Sequence, residues 1–416
     1  LFFIIFLIFG YFILVFQHFL SLIAKTTHNE MEISEIINHL GEERSEYYNA
    51  VSPPVIKTSN FCFSSVAEMR ANIDNEFTVP FYTRGNNPTV TILRKKMAAL
   101  EKTEDALITS SGCAAISAAV IANLSAGDHV ICVKNCYSWT KTLFMDVLKR
   151  FRVEVDMIDG TRTEHFRNVI RHNTRMIYLE SPGTFMMDLQ DLKAVAELAK
   201  QHKILTIIDN SYATPLLQNP KDFGIDIIVH SASKYLGGHS DLIAGVICGD
   251  SAMIKKIFEK EYLTFGGIVT PENAWLMLRG LRTLPLRLKQ IQETTRKVVD
   301  YLEQHPKVEK VLWPFAAYNP QLSLAQRQMK GAGGLFSFLL RTHSVEKVDQ
   351  FCDSLKHFLL ACSWGGHESL VYPASVLYDT PESKQNWLPM NLVRMYVGLE
   401  EADYLIADID KALQLV

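Results

Sequence analysis

The stretch Ser231-Ala232-Ser233-Lys234-Tyr235-Leu236-Gly237-Gly238-His239-Ser240 directly follows the apolar run Ile225-Asp226-Ile227-Ile228-Val229. A run hemmed in by valine and isoleucine reads as a strand buried on both faces, so Lys234 stands at a buried strand's mouth. An ammonium there loses water, and its pKa falls. A lone lysine in such a place more often snorkels to solvent. Here a second apolar run, Ile204-Leu205-Thr206-Ile207-Ile208-Asp209-Asn210, ends on a carboxylate about 25 residues earlier. Two parallel strands would deliver Asp209 and Lys234 to one edge of one sheet, which is where open α/β sheets bind ligands.

An amine primed for Schiff-base chemistry and a carboxylate able to keep a ring nitrogen protonated are what pyridoxal phosphate requires of a protein. Its phosphate requires a cradle as well. Leu107-Ile108-Thr109-Ser110-Ser111-Gly112-Cys113-Ala114-Ala115-Ile116 reads as a strand, a turn of small residues and an alanine-rich helix. That order sets backbone N–H groups and the positive end of a helix dipole against an anion. Ser231 and Ser233 flank the lysine and add hydroxyl donors.

Five motifs in order carry a resemblance to the Cys/Met-metabolism family of pyridoxal-phosphate enzymes, from about Asn49 to the C-terminus. They are Tyr82-Thr83-Arg84-Gly85-Asn86-Asn87-Pro88-Thr89, Ser111-Gly112-Cys113-Ala114-Ala115, Asp209-Asn210-Ser211-Tyr212, Ser231-Ala232-Ser233-Lys234-Tyr235 and Ser363-Trp364-Gly365-Gly366-His367-Glu368-Ser369. The resemblance implies fold type I, an α/β architecture like that of aspartate aminotransferase. Such a fold has a mostly parallel central sheet with helices on both faces and a smaller α+β C-terminal domain. It implies Lys234 as aldimine lysine and proton shuttle, and Asp209 as partner of the pyridine nitrogen. Gly112 and Cys113 would offer backbone N–H groups to the phosphate, with Ser231 and Ser233 adding hydroxyls. Tyr137 would stack on the ring and help to move protons. Tyr82 and Arg84 would reach a neighbouring subunit's phosphate, which makes a homodimer or homotetramer with shared sites the expected assembly. Arg394 would clamp the substrate α-carboxylate, with Ser363 and Trp364 beside it.

Three departures from the family's common pattern bear on the reaction. Glu180-Ser181-Pro182 continues as Gly183-Thr184-Phe185 and lacks an Asn-Pro pair; Trp364 replaces a leucine; and Cys362 stands where several γ-acting relatives place a glutamate. All three resemble β-lyases. The expected reaction is therefore carbon–sulfur cleavage of cystathionine to homocysteine, pyruvate and ammonia, through the Lys234 aldimine and a quinonoid. Cystathionine γ-synthase and the cystathionine or methionine γ-lyases are the alternatives.

The chain has 416 residues, 48% of them hydrophobic, too many for one core. The expected division is a leader over 1–30, an arm over 31–85 contacting a partner subunit, a cofactor-binding domain over 86–284 and a small domain over 285–416. A net charge of -3 argues against nucleic acid. Seven cysteines without paired zinc spacing suggest no metal site and a reducing, cytoplasmic setting. The almost wholly apolar residues 1–24 are long enough to span a bilayer. They read as a mis-set start ahead of Met31, with a membrane anchor as the alternative. Pro271 opens a long helical pattern that Pro285 is expected to break or kink. Gly331-Ala332-Gly333-Gly334 precedes a strand and reads as a turn.

Overall fold

The computed structural model describes residues 31–378 and 388–416. The apolar leader assigned to 1–30, with its anchor alternative, lies outside the described residues. Among those described, no helix is long and apolar enough to cross a membrane.

Seven short strands form the larger sheet: β1 (Asp105–Thr109), β2 (His129–Val133), β3 (Glu154–Ile158), β4 (Thr174–Glu180), β5 (Leu205–Asp209), β6 (Ile227–Ser231) and β7 (Gly245–Gly249). Their order is β1-β7-β6-β5-β4-β2-β3. The pairs from β3 through β2, β4 and β5 to β6 are parallel, whereas β7 runs antiparallel to both its neighbours. Strands such as Val130–Val133 and Ile227–Val229 are wholly buried, as a sheet covered on both faces requires. A second sheet, ordered β10-β11-β12-β9-β8, contains β8 (Val308–Leu312), β9 (Leu335–Leu340), β10 (Leu359–Leu360), β11 (Leu370–Pro373) and β12 (Leu392–Tyr396). The glycine cluster 331–334 leads into β9 as irregular backbone with a bend at Gly334, so the expected turn is, among the described residues, a bend without a hydrogen bond across it.

The N-terminal segment is partly anchored to its own chain. Helix α1 (Ile33–Asn38) ends over α2 (Pro88–Leu100), where the buried Lys96 Nζ donates to the carbonyls of Ile36 and Ile37, each at 2.9 Å. Glu42, also buried, completes the cluster at 3.1 Å from Lys96 and 3.1 Å from Arg282. The remainder of the expected arm is largely irregular and carries exposed apolar side chains, among them Val51, Val66 and Ile73.

Helix α3 (Gly112–Ile121) follows β1 and α4 (Leu192–His202) precedes β5. Helix α5 runs unbroken from Pro271 to Gln304 with Pro285 inside it. The expected break is thus corrected, and the helix runs through the 284/285 division. Pro285 faces solvent, so the backbone bond it forfeits lies where water can replace it. Leu281, Leu284 and Leu288 are buried around it and hold the helix on course. Helix α6 (Ala402–Leu413) closes the chain and buries Leu405 and Ile409.

Candidate active site

The parallel register sets Glu180 opposite Asp209, and Asp209 opposite Val229. The C-terminal ends of β4, β5 and β6 therefore meet at one edge. A cavity of about 610 Å³ opens above it, between that edge and the second lobe. Ser111, Gly112 and Cys113 line it from the start of α3, and Tyr137, Glu180, Asp209, Ser231, Ser233 and Lys234 line it from the sheet side. Cys362, Ser363 and Trp364 enter from the loop between β10 and β11.

Lys234 follows β6 by three residues, and its side-chain amine has no hydrogen bond or ion pair among the described residues. Its Nζ lies 5.6 Å from the centre of the Trp364 ring. Burial pushes the amine below the ordinary lysine range, and the Asp209 charge offsets part of that shift. Gly365, with φ +93°, presses against the lysine backbone: a Cβ there would lie 2.8 Å from Lys234 Cα. Only glycine accepts both that approach and that φ. Nearby, Ser363 holds φ at +81°, an uncommon conformation for a residue with a side chain.

Asp209 is buried and accepts a hydrogen bond from the Ser211 N–H at 2.9 Å. Burial pushes its carboxyl above the usual range, while Ser211, His230 and Lys234 pull it back. Glu180 is pushed well above that range, first by burial and then by the neighbouring Asp209 charge. Its Oε2 accepts from the Tyr137 N–H at 2.7 Å, which fixes the backbone that carries the tyrosine. Burial raises the Tyr137 hydroxyl as well, and Cys113 Sγ lies 3.9 Å from it.

The N-terminus of α3 is capped by Ser111, whose hydroxyl accepts from the Ala114 N–H at 3.1 Å. Gly112 packs on Ser231 so closely that a Cβ would stand 2.8 Å from the serine Cβ. The Ser233 hydroxyl is already engaged with Ala244, accepting from its N–H at 3.1 Å. Ser231 receives its own order from Ser211, whose hydroxyl accepts the Ser231 N–H at 2.6 Å.

Arg394 lies on β12 opposite Tyr372 and Ser337. Its guanidinium lies 4.5 Å from the Phe185 ring and 5.2 Å from that of Tyr372, two rings whose centres are 5.9 Å apart, and makes no hydrogen bond or ion pair among the described residues. Burial lowers it to about 10. A buried guanidinium without a protein acid beside it suits a carboxylate. Arg394 is not among the residues that line the cavity, and Tyr82 and Arg84 do not join it either. Both are exposed, with the guanidinium 5.2 Å from the tyrosine ring. Glu180 was legible only as a strand end, although Met176-Ile177-Tyr178-Leu179-Glu180 has the same apolar-run-then-acid form as the stretch ending in Asp209. Thr184, where the Asn-Pro pair is missing, also lines the cavity.

A partnerless buried amine, a buried acid on the adjoining strand end and a capped helix N-terminus round one cavity fit pyridoxal phosphate group by group. They define a pyridoxal-phosphate enzyme of fold type I. The family described as Cys/Met metabolism PLP-dependent enzyme matches residues 35–414, and the chain belongs to it. It is 37% identical over 375 residues to an L-methionine gamma-lyase of Fusobacterium nucleatum, covering 89% of this chain and 95% of that one. A cystathionine beta-lyase, MetC, of Bacillus subtilis is 36% identical over 88% of this chain and 92% of its own. The crystal structure of metB from Corynebacterium glutamicum superposes with a TM-score of 0.86 at 30% identity, over 93% of this chain and 98% of that one.

Proposed function

We propose that this member of the family is a carbon–sulfur lyase that cleaves L-cystathionine at its Cβ–S bond and, with one water consumed in hydrolysing the eliminated three-carbon fragment, releases homocysteine, pyruvate and ammonia. Bound pyridoxal phosphate supplies the electron sink for negative charge at the substrate α-carbon. Lys234 would hold the cofactor covalently and, once displaced by the substrate amine, take the α-proton; its burial favours the neutral amine that this task needs. Asp209 would hold the proton on the ring nitrogen. Tyr137, fixed by Glu180, would stack on the ring, and the phosphate would rest on the Gly112 and Cys113 N–H groups with Ser231 beside them. Arg394 would bind the α-carboxylate, with Ser363 at the cavity wall. Tyr82 and Arg84, exposed here, would complete the site of a second copy, so that the active form is a homodimer or a tetramer of such dimers.

The observation that favours β-cleavage is Trp364, whose ring lies 5.6 Å from the Lys234 amine. A γ-elimination needs the base to serve Cα and then Cβ, and an indole beside the amine narrows that swing. A second reading, γ-elimination of methionine, is favoured by the apolar wall of Leu359, Ala361, Leu370 and Ile243, which suits a thioether without a distal charge. The deciding experiment is product analysis after incubation with each amino acid. Pyruvate and homocysteine from L-cystathionine support β-cleavage. Cysteine with 2-oxobutyrate, or methanethiol with 2-oxobutyrate from L-methionine, moves the assignment to γ-cleavage. No product from either amino acid points to joining an activated homoserine ester to cysteine.

A further inference from the structure

One residue behind the cavity, the strand ends that carry it are laced together by a buried polar network with no part in the chemistry above. Ser181 follows Glu180, Asn210 follows Asp209 and His230 precedes Ser231. Asn210 Nδ2 donates to Glu101 Oε1 at 2.8 Å and to the Gln218 carbonyl at 3.0 Å. Gln218 Nε2 donates in turn to Asn210 Oδ1 and to the Ser181 carbonyl, both at 3.0 Å. His230 Nε2 lies 2.6 Å from the same Glu101 oxygen. A carboxylate only accepts, so the imidazole carries its proton on Nε2. Glu101, at the C-terminal end of α2, is 0% exposed and His230 is 1% exposed. Glu101 Oε2 and His230 Nδ1 are buried without hydrogen-bond partners among the described residues.

We propose that Glu101 and His230 are positioning residues of the cofactor site: one shared carboxylate oxygen locks Asn210 and His230, and thereby fixes Asp209 and Ser231. An ionised acid in such a place costs several kcal/mol to desolvate. The network spends that cost within one residue of three cavity-lining groups. Asp209 is faced by Glu180 and Tyr178 from β4, by His230 from β6, and by Lys234 and Tyr137 from the loops. Glu101 is faced by His230 and by Cys248 of β7. Of the groups around Asp209, His230 and Lys234 favour its charged form and Glu180 opposes it.

This inference rests on the cavity binding pyridoxal phosphate. Its test compares Glu101→Gln and His230→Gln with the wild type in three readouts: equilibrium affinity for pyridoxal phosphate, loss of its long-wavelength absorbance on acidification, and the split between kcat and KM. Groups that support metal ligands from behind are worth about 10- to 100-fold in affinity, and a loss of similar size in cofactor affinity is expected in both variants. In both variants the acid loss of absorbance should move to higher pH, because an Asp209 no longer held in place by its neighbours grips the ring nitrogen's proton less firmly. In both, kcat should fall by more than KM rises. Wild-type affinity and an unmoved acid limb in both variants overturn the proposal, even if melting temperature falls. Should Glu101→Gln fail to accumulate, His230→Gln decides by the same readouts. A wild type that takes up no pyridoxal phosphate overturns the functional reading itself, a result separate from any difference between variants.

Discussion

A lysine ammonium has three donors, and at Lys234 all three go without a protein acceptor among the described residues. Lys234→Ala should abolish the absorbance near ~420 nm expected of the lysine-linked cofactor. It should also lower kcat on the order of 10³-fold, the loss of a general base; a yellow, active variant would remove Lys234 from the site. Arg394 presents the matching cation for an anion. Arg394→Ala should raise the KM for L-cystathionine by about 10- to 100-fold with a smaller change in kcat, the loss of a charge-assisted pair. Initial-rate kinetics check this, and Arg394→Lys should recover only part of the affinity because an ammonium cannot offer the planar fork. Lys234 and Asp209 could be read from the sequence because each ends an apolar strand, and strand ends in an α/β sheet converge. Glu101 could not. It acts across a separation of 109 residues to Asn210 and 129 to His230, and nothing in its own surroundings in the chain announces the partners.

Among the elements, the helix from Pro271 to Gln304 shows where local rules give way. Proline disfavours a helix interior by removing one backbone bond, yet at Pro285 the loss falls on the wet face while buried leucines on either side fix the path. Sequence pattern registers the proline but not which way it points. The same helix starts where its pattern says, at Pro271, with the Thr270 hydroxyl accepting from the Asn273 N–H at 3.2 Å. Thr270→Ala should cost about 1 kcal/mol, seen as a lower urea midpoint with an unchanged slope. An unchanged midpoint would mean that packing alone sets this helix start. The cavity-bearing strands were equally legible, since period and turn residues mark them. The antiparallel insertion of β7 between β1 and β6 was not, because strand order is fixed by pairing rather than by any one strand's residues.

For the molecule as a whole, two acids buried side by side make stability depend on pH. Glu180 and Asp209 both have folded-state pKa values raised above those of the unfolded chain. Groups of that kind contribute stability that is full below the unfolded value and is lost as pH rises through the folded one. The cofactor-free protein should therefore lose melting temperature relative to Glu180→Gln as pH climbs from the ordinary carboxylate range. A wild-type-to-variant difference that stays flat across a series of thermal scans would show that Glu180 titrates normally in the fold. The Lys96–Glu42 pair works differently, since each buried partner is needed to keep the other from being an uncompensated charge.

The position of β7 also carries a consequence in time. β1 has β7 as its sheet neighbour, and their paired ends, Asp105 and Gly249, are 144 residues apart in the chain. Contacts across so long a loop repay their entropy late. Until β7 seats, the turn at Ser111–Gly112 has no strand to hold it beside Ser231 and Lys234. A refolding chain should thus regain its helices before it can turn yellow, and between those two moments it is a folded-looking protein unable to retain its cofactor.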